Sequence, residues 1–228
     1  MGSFIEEHSI KDINELLNLV HKQDGKHSVY RGVTSIEHQL IPKIGRYAKL
    51  KSMTLENVVK EEKYILKLFG QRASAVRTHS FDSIWDRMAV AQHHGLPTRL
   101  LDWSRNPLVA LYFAVRNSHE GDSAVYLYTG TGVAKVGSTQ DPFAKKTIMK
   151  FIPDHLSNRI TAQSGLFTLQ PDPRKPIPNE RVMRIAVDGS ARKKLKKELS
   201  ILGIHEASLF PDLDGMARHI EWLRTDVY

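Results

Sequence analysis

The chain has 228 residues, enough to bury a sizeable core, and its 41% of hydrophobic residues is ordinary for a globular protein. It contains no cysteine, which excludes disulfides, a cysteine nucleophile and cysteine-ligated metals, and no apolar run approaches the roughly 20 residues that cross a bilayer. The net charge of +8 suits a polyanionic partner such as nucleic acid or a phosphate-rich ligand, and it equally suits a solvated basic surface.

The N-terminus lacks the basic-then-apolar pattern of a signal peptide. We therefore expect a single domain over residues 1–228, in the cytoplasm and without a membrane partner. Its first part, about 1–120, is expected to be mostly helical, and its second part, about 121–228, to be rich in strands.

Helical periodicity dominates the first 120 residues. Apolar spacing predicts a helix at about 10–22, a long amphipathic helix that Thr54 caps, and a helix that begins at Ser80 or Asp82 and ends at Gly95. A short β-rich run lies at 28–33 and another at 98–103. A helix with Pro107 in its first turn follows the second run.

The sequence pattern changes from mostly helical to mostly strand-like after residue 121. Four β-rich runs predict strands at 123–130, 147–152, 165–170 and 181–187, with a polar short helix or turn at 157–164. A basic amphipathic helix capped by Ser190 and ended by Gly203, a last strand at 205–210 and a terminal helix at 212–224 follow. Helices followed by strands predict an α+β fold, with a mixed, largely antiparallel sheet and flanking helices.

The stretch HHGLPTRLLDWS, residues 93–104, mixes charged residues with apolar ones. Two adjacent histidines at a helix end make a poor metal site, so no metal is expected. If 98–104 is a strand, Arg99 and Asp102 face opposite ways, and each needs a partner from another element. They are either structural clasps, or Asp102 and Ser104 form a ligand site just before a helix N-terminus.

Two further charged residues interrupt apolar runs. Arg31 either pairs with an internal carboxylate or faces a cleft and binds an anionic ligand, and the next residue, Gly32, indicates close approach of something to the backbone. Glu206, in the predicted last strand, is either exposed on an edge strand or functional.

These residues carry a family resemblance. Tyr-Arg-Gly at 30–32, together with AQHHGLPTRLLDWSRNPLVALYFA at 91–114, resembles the FRG domain, named for its Phe/Tyr-Arg-Gly motif, over roughly residues 25–222. More distantly, three ordered segments resemble ADP-ribosyltransferases of the Arg–Ser–Glu class: an aromatic-Arg-Gly, a serine before a helix, and a glutamate followed by an apolar pair and a proline.

The second resemblance implies an ADP-ribosyltransferase-like fold with NAD as substrate. It implies that Arg31 binds the NAD pyrophosphate, that Ser104 orients the glutamate, and that Glu206 stabilises the oxocarbenium-like centre as nicotinamide leaves. The remaining residues of the implied pocket are Tyr30, Gly32, His94, Thr98, Arg99, Asp102 and Gln163. Of these, Arg99 and Asp102 are expected to act mainly as supports.

Two functions from different classes follow. The first is an NAD-using enzyme that transfers ADP-ribose to a protein or nucleic acid, or cleaves NAD. Such an enzyme could act as a toxin or as a phage-defence effector. Ile204 stands where arginine-modifying members have Glu or Gln, which counts against arginine as acceptor. The alternative is a non-catalytic FRG module that binds a nucleotide or, through the basic helix at 192–199, nucleic acid.

Overall fold

A computed structural model describes residues 3–23, 27–76, 81–134, 140–153 and 158–225. Within these ranges the strands form one sheet of eight, in the spatial order β1-β8-β4-β2-β3-β7-β6-β5. The strands are β1 (Glu7–Ile10), β2 (Val29–Val33), β3 (Leu100–Ser104), β4 (Ser123–Tyr128), β5 (Val133–Ala134), β6 (Met149–Phe151), β7 (Gly165–Leu169) and β8 (Val182–Val187).

Helices surround this sheet. They are α1 (Ile13–Lys22), α2 (Ala48–Lys51), α3 (Leu55–Ala73), α4 (Ile84–His93), α5 (Pro107–Val115), α6 (Asn158–Ala162), α7 (Arg192–Ile201), α8 (Glu206–Leu209) and α9 (Leu213–Thr225). Among the described residues, none of these helices is both long enough and apolar enough to cross a bilayer.

The sheet confirms the predicted α+β class. Its neighbours are antiparallel except at two places, where β1 pairs with β8 and β5 pairs with β6 in parallel. The strands β2 and β3, from the part predicted to be mostly helical, lie at the centre of the sheet between strands of the second part. The two parts of the chain therefore share one sheet.

Helix α5 is the central helix of the fold. It is apolar on nearly all sides, and it packs against β2, β4 and α7. Its contact with β2 is very close at Gly32, where a Cβ would lie 1.9 Å from the carbonyl oxygen of Ala110. The sequence indicated close approach to the Gly32 backbone, and the structure identifies the approaching element as α5.

The sheet buries apolar side chains on both faces. On one face, residues of α1, α5 and α7 pack with Tyr30, Leu127 and Ile185. On the other, Trp103, Tyr126 and neighbouring strand residues pack with the segments around Leu40 and Ile177. Helices α3 and α4 cover β3, β6 and β7 through a third cluster centred on Trp85, Phe151 and Phe167. Because both faces are covered, the strands are apolar runs with little alternation.

Most predicted elements are present, and several caps are confirmed. The Thr54 hydroxyl accepts a hydrogen bond from the Asn57 amide at the start of α3. Pro107 occupies the first turn of α5, and Gly95 and Gly203, with φ of +81° and +80°, follow the ends of α4 and α7. Glycine fits these turns because a left-handed backbone costs it little.

Three predictions of local structure are wrong. The segment HEASLF is not a strand: His205 caps a short helix, α8, and its ring nitrogen accepts from the Ser208 amide. Ser83, and not Asp82, caps α4, while Ser80 lies outside the described residues. Ser190 lies inside a turn of 3₁₀ helix that precedes α7, so it is not the cap of that helix.

The close contact between α5 and Gly32 allows a direct test of the packing. We expect Gly32→Ala to lower the free energy of unfolding by about 1–3 kcal/mol, because α5 must shift away from β2 to admit the methyl group. Gly132→Ala is the control, since its Cβ would meet only the Ile148 carbonyl at 3.7 Å, and a change within about 1 kcal/mol is expected. Denaturant unfolding measures both, and equal effects would contradict the close contact.

Candidate functional site

The two central strands of the sheet separate soon after they meet. Strand β2 pairs with β4 at all five of its residues but with β3 only at Tyr30 and Ser104. Beyond this pair the Arg31 guanidinium donates to the backbone carbonyl of Asp102 at 2.6 Å. An arginine side chain therefore occupies the space where ladder hydrogen bonds would continue, and the sheet opens into a cleft at this point.

The cleft has a volume of about 620 Å³. It is bounded by β2 and β3, by the C-terminal end of α4, by α5 and α6, and by the segment that contains Lys43 and Arg46. A volume of this size is typical of sites for cofactors and other small molecules. Seven of the predicted site residues line it: Tyr30, Arg31, Gly32, His94, Asp102, Ser104 and Gln163.

Basic side chains dominate the charge of the cleft. Arg31, Lys43, Arg46 and Arg159 line it, with Asp102 as its one carboxylate among the described residues. The Lys43 ammonium donates to the Gly95 carbonyl at 2.7 Å, which fixes it beside the end of α4. Within a concave site such charges reinforce each other, so the cleft attracts anions.

Asp102 is held by two neighbours while most of it stays accessible. Its carboxylate lies 3.6 Å from the Arg31 guanidinium, and Gln92 donates to it at 3.1 Å. The Gln92 amide is fixed in turn by the Thr98 hydroxyl, which donates to its oxygen at 2.7 Å. The Asp102 side chain nevertheless remains 59% exposed, so its carboxylate can accept hydrogen bonds from a ligand in the cleft.

The two histidines are part of the cleft wall. His93 is the last residue of α4, His94 follows as its cap, and their rings meet edge to face with centroids 4.9 Å apart. Burial, together with the nearby charges of His94 and Arg159, lowers the pKa of His93, so its ring is neutral at pH 7. Within the described ranges, no three His, Asp or Glu side chains are grouped so that they could hold a metal ion.

Ser104 joins the cleft to the turn after α6. Its hydroxyl donates to the Gln163 carbonyl at 2.7 Å and accepts from the Asn106 amide at 2.9 Å. The side-chain amide of Gln163 donates to the Leu209 carbonyl at 3.0 Å, which connects this wall to α8. Ser104 thus determines where β3 ends and α5 begins.

Thr98 and Arg99 support the cleft from beneath. Thr98 is fully buried and orients Gln92, as described above. Arg99 is also fully buried, and its side chain and backbone amide both donate to Glu62 of α3, at 2.9 and 2.7 Å. Such a pair is costly to break, because either charge alone would be left in the core. The expected partner of Arg99 is therefore Glu62, and that of Asp102 is Arg31.

Glu206 lines a different cavity, of about 140 Å³, between α5, α7, α8 and α9. Its carboxylate accepts from the Tyr112 hydroxyl and from Arg116, both at 2.6 Å, and from Arg218 at 2.8 Å. Burial alone would raise the Glu206 pKa, but the hydrogen bonds from Tyr112 and Arg218 and the charge of Arg116 outweigh it and lower the pKa. The structure does not bring Glu206 together with Arg31 and Ser104.

Comparison with known families gives a match to one part of the chain. Residues 26–123 match the model of the FRG domain. No curated protein and no solved structure matches the chain. The FRG match covers β2, α2 to α5 and β3, which include the Tyr-Arg-Gly motif and the stretch from His93 to Ser104. The segment that carries Glu206 lies outside it, and no ADP-ribosyltransferase is among the matches.

Several residues that line the cleft were not among the site residues predicted from the sequence. They include Lys43, Arg46, Gln92, Phe113 and Arg159. Lys43 and Arg46 lie in an irregular segment among many other basic residues, so nothing in the local pattern separates them from surface charges. Gln92 could have been found, since it directly precedes the two adjacent histidines that the sequence singled out.

Glu206 gives a prediction about stability and pH. We expect Glu206→Gln to lower the free energy of unfolding at pH 7 by about 1–3 kcal/mol, nearer the lower figure because solvent screens the half-exposed Arg218. The folded pKa lies below the unfolded value of about 4.3, so the contribution is complete above that value. The difference between the two proteins should therefore shrink as the pH falls from about 5 to 3.

Denaturant unfolding at a series of pH values measures this difference. Glu120→Gln, an exposed glutamate outside the cavity that Glu206 lines, is the matched control and should leave stability nearly unchanged at every pH. A Glu206→Gln protein as stable as the wild type at pH 7 would contradict the structural role of this carboxylate.

Proposed function

We propose that the cleft between β2 and β3 binds a phosphate-bearing nucleotide, and that NAD is the first nucleotide to test. The observation that carries this proposal is the charge pattern of the cleft: four basic side chains and one accessible carboxylate, Asp102, around a cavity of about 620 Å³.

The basic side chains suit a phosphate or pyrophosphate. Arginine presents a planar fork of donors that matches phosphate oxygens, while Lys43 adds a compact charge. Arg31 and Arg46 are close enough for their charges to interact, so an anion between them would relieve their mutual repulsion. The free energy of binding is expected to come largely from this end of the cleft.

The other walls suit the uncharged parts of a nucleotide. Phe113 and Leu166 offer apolar surface, and the His93 ring is neutral at pH 7. The Asp102 carboxylate would repel a phosphate, but it is well suited to accept hydrogen bonds from ribose hydroxyls or an amino group. A ligand with both an anionic part and donor groups therefore fits better than a simple anion.

Nucleic-acid binding through α7 receives less support. Of the five basic residues at its start, Arg192 and Lys196 are buried. Arg192 donates to the carbonyls of Thr34 and Asn117, and Lys196 donates to that of Arg116. The carbonyls of Arg116 and Asn117 directly follow α5, and cations often occupy this position at helix C-termini. Part of the basic pattern therefore stabilises the fold.

The proposal predicts direct binding that depends on the cleft. Wild-type protein should bind NAD with an affinity that falls as salt increases, and NAD should raise the melting temperature by mass action. Arg159→Ala and Arg46→Ala should each weaken binding about tenfold, since each removes a charge-assisted contact. Calorimetric titration measures the affinity, and Arg72→Ala, an exposed arginine on α3, is the control.

Two outcomes would contradict nucleotide binding. One is the absence of a thermal shift and of binding heat with NAD, ADP and ATP at millimolar concentration. The other is binding that Arg72→Ala weakens as much as the two cleft variants do, because such binding would reflect net charge alone.

Cleavage of the bound NAD is a second candidate, and the accessible carboxylate of Asp102 favours it. The C1′–N bond would break, nicotinamide would leave with the electron pair, and a carboxylate near C1′ would stabilise the positive ribose. Water, or a protein or nucleic-acid acceptor, would then form the new bond and lose a proton. Glu206 could take this role only by leaving Tyr112, Arg116 and Arg218.

Measuring nicotinamide release distinguishes Asp102 from Glu206 as the reacting carboxylate. If cleavage occurs at Asp102, Asp102→Asn should abolish release while binding of NAD persists, and Glu206→Gln should retain release at temperatures where it is folded. Loss of release only in Glu206→Gln, with an unchanged thermal stability, would favour Glu206 as the reacting carboxylate instead.

A further inference from the structure

The last helix, α9, exposes its large aliphatic side chains and does not bury them against the protein. The residues that face the body of the protein are Gly215, Arg218, His219 and Trp222. Gly215 is buried against the Phe210 backbone, so closely that a Cβ at this position would lie 2.0 Å from the Phe210 carbonyl oxygen. The His219 ring stacks on His205 with centroids 4.0 Å apart. The side of α9 that holds the helix in place therefore carries none of the leucine, isoleucine and methionine side chains of this helix.

The leucine, isoleucine and methionine residues of α9 point to solvent. Leu213, Met216, Ile220 and Leu223 are 82%, 49%, 59% and 59% exposed. On a helix of 3.6 residues per turn these four positions share one face, which we call the α9 stripe. An exposed apolar stripe of this length is uncommon on a monomeric surface and is typical of an interaction site.

The spacing of the α9 stripe indicates that its occupant is a helix. Steps of three, four and three residues are those of the seam between two paired helices, where side chains of one fit between those of the other. The stripe also reads similarly in both directions: a leucine stands at each end, and Met216 and Ile220 lie between. A seam with this symmetry is complementary to itself.

We propose that α9 pairs with α9 of a second copy of this chain, in antiparallel orientation. In this register Leu213 of one copy meets Leu223 of the other, and Met216 meets Ile220. A two-fold axis relates the copies, so each contact occurs twice, as in most homodimers.

Charge at the two ends of the stripe supports the antiparallel orientation. Asp212 immediately precedes the helix, where its carboxylate accepts from the Gly215 amide, and Arg224 lies in the last turn. Both flank the stripe, whereas Asp214 and Glu221 lie on the far side of the helix. Antiparallel pairing brings the acidic end of one copy to the basic end of the other, while parallel pairing would bring like charges together.

The dimer is expected to be weak. A standard interface buries about 800 Å² on each partner, and a stripe of four residues covers less. The net charge of +8 on each copy also opposes association at low salt. Screening by salt should therefore strengthen the dimer, whereas binding of a phosphate ligand in the cleft should weaken with salt.

Sedimentation equilibrium of the full chain, up to about 1 mM, tests the association. A monomer–dimer equilibrium is expected, and Ile220→Lys should weaken it at least tenfold because a charge would enter the apolar seam. Ile5→Lys is the matched control, an isoleucine 53% exposed at the other end of the chain, and it should dimerise as the wild type does. Circular dichroism verifies that both variants fold.

Cross-linking tests the orientation, and the absence of native cysteine makes each introduced thiol unique. Positions 213 and 223 are about 15 Å apart along a helix, too far for a disulfide, whose Cα atoms lie within about 7 Å. Leu213→Cys and Leu223→Cys should therefore form a disulfide dimer when mixed and oxidised, but little when each is oxidised alone.

Four results would overturn the proposal. They are a monomer at every concentration, a dimer that Ile220→Lys does not weaken, an equal loss of dimer in Ile5→Lys, and efficient cross-linking of each cysteine variant by itself. None of them would bear on nucleotide binding, because the α9 stripe and the cleft are separate surfaces.

Discussion

The close contact between α5 and β2 is the constraint on which the rest of the structure depends. At Gly32 the strand has no side chain, so the backbone of α5 lies directly against it, and a single methyl group would collide with the Ala110 carbonyl. This contact brings an apolar helix over the centre of the sheet. It also places Ala110 and Phe113 along one wall of the cleft, and Tyr112 where it meets Glu206.

The cleft exists because a side chain replaces part of the β ladder. Between β2 and β3 only one residue pair remains, and the Arg31 guanidinium satisfies the next carbonyl. An arginine so near the core is tolerable because Asp102 balances its charge and the cleft admits solvent. The same residue thus keeps the strands apart and supplies positive charge to the space that it opens.

The charged residues that interrupt the apolar elements, together with their partners, divide into two groups by depth. Arg99 and Glu62 are fully buried and pair with each other, so their charges stabilise the fold and do not face the cleft. Arg31 and Asp102 are near the surface of the cleft and keep donors and acceptors for a ligand. Glu206 belongs with the first group, since three donors surround its carboxylate and join α5, α8 and α9. Burial together with the number of partners separates these groups better than residue type does.

The sequence alone predicts the α+β class and most strands and helices, and it singles out Arg31 and Asp102, because periodicity and a charge inside an apolar run are local signals. It did not determine that HEASLF is helical, since its alternating pattern predicts a strand and only the His205 cap and the contact with α9 favour the short helix. It also could not show which charges meet. Residues 31 and 102, 62 and 99, and 116 and 206 are far apart in the chain, and their pairing depends on strand order and helix packing, which only the tertiary structure decides.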